Sequence, residues 1–320
     1  MRYLVTGGAG FVGTHLTVRL VGEGHRVTVL DSRPDGCPPV LAGLGPGLRY
    51  VRGSVTDTVL VAKLVAEADY VIHLAAVVGV RLAMARGVEG LRVGCLGTEA
   101  VLDAACRAGR EVFIASSSAV YGKVEATPVA EEADTVLGPT SRPSWLYSVG
   151  KLAEEHLALA YARERGARVK IGRFFNVIGP HQMASSGMVV PSLVTRALRG
   201  EPLLVYGDGS QTRTFCYVDD AVEGLRAVAE RGEAAAPYNI GGSEEVTMLE
   251  LARRVKLLTD SSSPVEAVPY ALAFGPRFEE TPRRAPNLAR ICGLGYAPRY
   301  SLDEALSRII DHHRRSAGRE

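Results

Sequence analysis

A glycine pattern, Gly8-Ala9-Gly10-Phe11-Val12-Gly13, separates a short apolar run from a helical one at the start of the chain. Residues 2–6 read as a strand and 11–21 as a helix. No other feature constrains the fold as strongly. A side chain in such a turn would block it and keep the backbone from a bound pyrophosphate. The helix N-terminus then offers unpaired N–H groups to the anion. Gly7, Gly10, Phe11, Val12 and Gly13 are therefore expected to line a dinucleotide. Asp31 closes the next strand, where a carboxylate accepts from ribose hydroxyls and repels a 2′-phosphate, so the expected cofactor is NAD rather than NADP. Ser32 and Arg33 complete that corner, and the arginine can stack on adenine.

Short apolar runs and helical patterns go on alternating, as they do in a parallel sheet covered on both faces. Strands are expected at 26–30, 48–52, 70–74, 112–115 and 168–172, and helices at 58–66, 96–108 and 145–165, the last stopped by Gly166. Residues 34–47 read as a surface loop. After Arg173 the pattern changes: 176–190 looks irregular, Pro191 can open a helix, and 206–210 is rich in turn residues. A helix near 218–231 and a strand at 238–240 look like returns to the sheet. Thr247-x-x-Glu250 and Ser301-x-x-Glu304 are capping boxes, and the charged tail 314–320 is expected to fray. The expected fold is α/β: a doubly wound parallel Rossmann sheet from 1–173 and 214–242, with a smaller mixed α/β lobe from 174–213 and 243–320.

Composition narrows the function. A net charge of +2 leaves no electrostatic footprint for nucleic acid. Five scattered cysteines with no C-x-x-C pair indicate neither a disulfide framework nor a zinc or other metal site. No run is long enough to span a bilayer, so a cytoplasmic protein without a membrane partner is expected.

The chemistry lies further on. Tyr147 and Lys151 are four apart on an expected helix and share a face. An ammonium beside a phenol favours the phenolate and is expected to lower its pKa, as a general base near neutral pH needs. Ser116-Ser117-Ser118 follows an expected strand at the carboxyl edge of the sheet, where ligands bind in such folds.

With these residues in place the sequence resembles the extended short-chain dehydrogenase/reductases that act on nucleotide sugars. The resemblance runs over nearly the whole chain, through Thr6–Gly13, His73-Leu-Ala-Ala76, Ser116-Ser-Ser-Ala-Val-Tyr-Gly122, Tyr147-x-x-x-Lys151, Arg173-Phe-Phe-Asn-Val-Ile-Gly-Pro180 and Val205-Tyr-Gly-Asp-Gly-Ser-Gln-Thr-Arg213. It implies a triad of Ser118, Tyr147 and Lys151, with the lysine also on the nicotinamide ribose. It places Ser54, Val55, Leu74, Ala75, Ala76 and Ser116 along the NAD. It assigns a UDP-sugar to Ser117, Ser118, Asn176, Val190, Tyr206, Arg213 and Arg284, the arginines on the diphosphate. A homodimer through the helices near 96–108 and 145–165 is also implied.

Three reactions follow from the resemblance. Segment 136–148 looks like that of UDP-glucuronate decarboxylases, which carry Glu directly after the catalytic Ser or Thr. This chain has Ala119 there, and it lacks the Asp-Glu pair of the dehydratases. The expectation is therefore an NAD-dependent UDP-glucuronate or UDP-glucose 4-epimerase, working through transient oxidation at C4. The alternatives are a UDP-glucuronate decarboxylase and, more remotely, a silent binding module. Three further departures from the family pattern are Ser54, where an aspartate often meets adenine, Gly94, where an asparagine is expected, and Asn287, where an aspartate usually follows the proline.

Overall fold

The chain buries its apolar runs between helices, and the computed structural model describes this arrangement for residues 1–182 and 187–317. Part of the irregular segment 176–190 and the last residues of the charged tail lie outside the described residues. Seven strands form one sheet: β1 (Arg2–Thr6), β2 (Arg26–Asp31), β3 (Leu48–Arg52), β4 (Tyr70–His73), β5 (Glu111–Ser117), β6 (Val169–Phe174) and β7 (Pro237–Ile240). Every pairing is parallel, in the order β7-β6-β5-β4-β1-β2-β3. The order turns back on itself between β1 and β4, which makes the carboxyl ends of these strands the natural ligand crevice.

Alternation along each strand sends neighbours to opposite cores. Leu4, Val71, Val112 and Ile114 pack on one face with α2 (Thr58–Glu67), α3 (Gly97–Ala108) and α4 (Leu146–Arg165). Val5, Ile72 and Phe113 pack on the other with α1 (Phe11–Gly22) and α6 (Val218–Arg231). A third core joins α5 (Val189–Leu198), α7 (Met248–Thr259) and α8 (Leu302–Ala317), next to three short sheets. Local chemistry sets the helix ends. Asp57 caps α2 by accepting from Leu60 N at 3.0 Å, and Gly109 and Gly166 close α3 and α4 in the left-handed conformation. At α8 the capping box is reciprocal, Ser301 N reaching Glu304 at 2.8 Å and Glu304 N reaching Ser301 Oγ at 3.3 Å. At α7 only the Thr247 half forms, because Glu250 turns to Arg254.

One buried charge pair ties the sheet to α4. Arg173 on β6 grips the Glu155 carboxylate with Nε at 2.9 Å and Nη2 at 2.7 Å. Its Nη1 donates to Tyr121 Oη at 2.9 Å and to the Glu131 carbonyl at 2.7 Å. Tyr121 in turn donates to Asn239 Oδ1 on β7 at 2.7 Å. Breaking one side of such a pair leaves an uncompensated charge in the interior. Arg173→Met is therefore expected to cost about 3–5 kcal/mol, read as a lowered urea midpoint. Adding Glu155→Met should restore part of the loss. A double variant no more stable than Arg173→Met would contradict the pairing argument.

Candidate active site

The glycine loop forms the floor of the crevice. Gly7 adopts φ +68°, and a Cβ there would lie 2.7 Å from Ala75 N. A Cβ on Gly13 would lie 2.4 Å from the Gly7 carbonyl, so only glycine lets α1 start this close to β1. Gly10 precedes α1 without a side-chain cap, so the first-turn N–H groups of Phe11, Val12 and Gly13 face the crevice free of a capping side chain. This cradle, which any Cβ would fill, fits a pyrophosphate. Asp31 stands beside it, accepting from Ala9 N and Arg33 N, each at 3.0 Å. Arg33 reaches back to the Ala9 carbonyl at 3.3 Å, with Ser32 between it and Asp31. Ser54 Oγ is engaged with Thr56 Oγ1 at 2.8 Å, and Val55 is buried under α3. Leu74 continues from β4, its N–H on the Thr6 carbonyl at 3.0 Å, and Ala75 and Ala76 follow it along the rim.

β5 runs two residues beyond its expected end, because Ser116 and Ser117 pair with Arg173 and Phe174 of β6. The three serines therefore face different partners. Ser116, expected on the cofactor, is buried and gives its hydroxyl to Glu155. Ser117 lies beside the Tyr147 phenol, its Oγ accepting from Ala119 N at 3.2 Å. Ser118 is buried at the start of a 3₁₀ turn, Ser118–Tyr121. Of the three, Ser117 is the hydroxyl brought to Tyr147.

Tyr147 and Lys151 share the first turns of α4, as their spacing requires. Lys151 Nζ donates to the Ala115 carbonyl at 2.9 Å and to Glu154 Oε2 at 2.8 Å. The phenol is not activated in the expected way. Burial raises the Tyr147 pKa above its ordinary value, and the Lys151 charge and Ser117 offset this only in part. Glu154 opposes them. Burial would lower Lys151, but Glu154, Tyr147 and Glu155 outweigh it and hold the lysine above its usual range. Beneath them His73 is buried, bonded to Thr6 Oγ1 at 2.7 Å and Thr98 Oγ1 at 3.1 Å, and burial with Lys151 nearby pushes it down to about 3, so the ring is neutral.

Tyr147 also lines a cleft of about 400 Å³ with Ala119, Ser148, Glu280 and Arg284. Arg284 Nη2 donates to Thr281 Oγ1 at 2.8 Å, while its Nε is buried without a partner among the described residues. Burial and the neighbouring Arg213 charge press Arg284 down to about 10. Arg213 is held by Glu280 at 2.6 Å and by the Thr281 carbonyl at 2.7 Å. Two guanidiniums against one carboxylate, with a buried donor unused, suit an anionic ligand. Asn176, in the left-handed region at φ 34°, spends its amide on the Thr214 carbonyl at 2.7 Å. Tyr206 packs edge-on to Phe274. Val190 is fully buried in the third core. Sequence reasoning missed Glu154, Glu155, Glu279 and Glu280. Glu154 stands three residues from Lys151, a helical spacing that could have been read, whereas the partners of Glu155, Glu279 and Glu280 are Arg173, Lys123 and Arg213, distant in sequence.

Residues 3–241 match the model of the NAD dependent epimerase/dehydratase family. The chain belongs to that family. It is 38% identical over 317 residues to a UDP-N-acetyl-alpha-D-glucosaminuronate decarboxylase of Bacillus cytotoxicus, spanning 98% of both chains. It is 36% identical to UDP-glucuronic acid decarboxylase 1 of Arabidopsis thaliana, covering 98% of this chain and 70% of that one. Among solved structures, MoeE5 in complex with UDP-glucuronic acid and NAD superposes with a TM-score of 0.84 at 33% identity, over 99% of this chain and 100% of that chain. The cofactor is NAD, and the cradle fits it. Asp31→Ser should lower the preference for NAD over NADP by on the order of tenfold, by removing a like charge from the 2′-phosphate position. Dissociation constants for the two cofactors measure this. An unchanged ratio would place the discrimination at another residue.

Proposed function

We propose that this chain is a UDP-uronate decarboxylase acting through oxidation at C4 of the sugar. The observation that carries the reading is that Tyr147 and Arg284 share one cleft, with Lys151, one turn on from Tyr147, held on the Ala115 carbonyl of β5. Similarity to two uronate decarboxylases over 98% of this chain favours the uronate and the loss of carbon dioxide.

Arg284 and Arg213 would hold the diphosphate, the first through its unused Nε, the second by exchanging Glu280 for a phosphate oxygen. Tyr147, as a phenolate favoured by the neighbouring Ser117, takes the proton of the C4 hydroxyl. NAD supplies hydride acceptance and return at C4. The C4 ketone stands β to the uronate carboxylate. Breaking the C5–carboxylate bond releases carbon dioxide and sends the electron pair to the C4 oxygen, beside the now protonated Tyr147. Solvent protonates C5, and Tyr147 returns its proton when C4 is reduced. The net change is uronate plus a proton to pentose plus carbon dioxide. Ala119 adds an apolar wall to the cleft, and an apolar setting speeds loss of a charged carboxylate.

Ala119 also favours a second reading, 4-epimerisation. With no acid at this position the carboxylate can be held out of line with the ketone, and hydride return to the opposite face then inverts C4. Mass analysis separates the two after incubation with UDP-glucuronate and its N-acetylated analogue. Decarboxylation gives a product lighter by carbon dioxide; a new isomer of unchanged mass would overturn it. Tyr147→Phe should lower turnover by about 10³-fold with nucleotide binding kept. Undiminished turnover would remove Tyr147 from the mechanism. We further propose a homodimer through α3 and α4, where Val149 is 44% exposed.

A further inference from the structure

The ion pair beside Tyr147 is unusual in its surroundings. Lys151 and Glu154 are both almost fully buried, at 5% and 3% exposure. A lysine ammonium has three donors. The Ala115 carbonyl and Glu154 take two, which leaves one for anything bound above. Glu154, Lys151, Tyr147, Gly150, Ala76 and Leu91 line one narrow cavity on the cofactor side of α4.

Room for the carboxylate comes from another element. Residues Arg92–Leu96 form a π-helical turn ahead of α3. Such turns widen a helix by one residue and recur at functional sites. Gly94 lies in it, and a Cβ there would stand 2.5 Å from Glu154 Oε1. The glycine that replaces the expected asparagine is the space in which Glu154 sits. The 2.8 Å contact to the Lys151 ammonium gives this deeply buried carboxylate the partner that burial demands.

We propose that Glu154 is a positioning residue for the Tyr147–Lys151 pair: through the gap at Gly94 it anchors the Lys151 ammonium and shares its charge with the phenol. The inference rests on Tyr147 acting as the base. Its consequence is a pH dependence set by the carboxylate. The charged and titratable groups around the pair are few. Ser117 lies beside the phenol from β5, neutral His73 lies below on β4, Cys95 comes from the π turn, and Arg284 lines the same cleft as Tyr147. Glu155 is neutralised by Arg173. Glu154 is the one whose charge opposes the lysine directly, and it pushes the phenol upward.

Glu154→Gln keeps an acceptor for Lys151 and removes the charge. The acid limb of the pH–rate profile, where Tyr147 loses its proton, should move to lower pH by on the order of one unit. Gly94→Ala leaves the carboxylate in the chain but pushes it off Lys151, and should move the limb in the same direction. A purely structural Glu154 would change stability and leave the limb in place. Phenolate absorbance of the NAD-loaded protein, taken as wild type minus Tyr147→Phe, titrates the same group without substrate and covers a variant too slow to profile. A limb and a titration both unmoved, or moved to higher pH, would overturn the inference. Turnover that survives Tyr147→Phe would instead overturn the proposed reaction, and the absorbance titration would still judge Glu154.

Discussion

A guanidinium inside a parallel sheet has to be neutralised, and Glu155 does this for Arg173. The pair fixes α4 against β6 at one rotation. Because Tyr147 and Lys151 lie on that same helix, their position over the end of β5 follows from a salt bridge that touches neither. Ser116 adds its hydroxyl to the same carboxylate and so locks the strand whose next residue meets the phenol. Tyr121 and Asn239 carry the network on to β7. Such a network is rigid when every member is satisfied.

Around the crevice the electrostatics divide by side. On the sheet side the interior is kept close to neutral: His73 is unprotonated, Glu155 is paired, and the charge of Lys151 is balanced by Glu154. On the lobe side Arg213 and Arg284 leave an excess of positive charge over Glu280, since Glu279 on the same cleft is taken by Lys123. An anionic ligand is thus drawn to one wall, while the reacting end meets a wall with little net charge.

Much of this could be read from the chain. The glycine junction, the run of parallel strands and the Tyr147–Lys151 spacing are local patterns, and α6 was expected with the bounds observed, Val218–Arg231. The serine run was harder. Serine has weak strand preference, so β5 was expected to stop at residue 115; pairing with β6 carries it two residues on and sets Ser116 and Ser117 on opposite faces. Pro191 was expected at the helix start, but α5 begins at Val189, since a proline is tolerated throughout a first turn whose N–H groups lack partners. The short helix Gly87–Leu91 escaped because its two glycines argue against helix, and Val80–Ala85 because six residues are too few to show a helical period. Residues 314–317, expected to fray, continue α8. The effect of burial on Tyr147 is invisible in sequence, because it depends on what packs around the phenol and not on the lysine four residues away.

The gap at Gly94 also bears on how this arrangement can be reached. A glutamate arriving at 154 while any side chain still occupied 94 would find its carboxylate blocked and its charge stranded in the interior. A glycine arriving first at 94 would leave only a void, at a cost most proteins tolerate. The two residues are far apart in sequence, yet the geometry gives their order of appearance a direction, with the smaller change opening the path for the larger one.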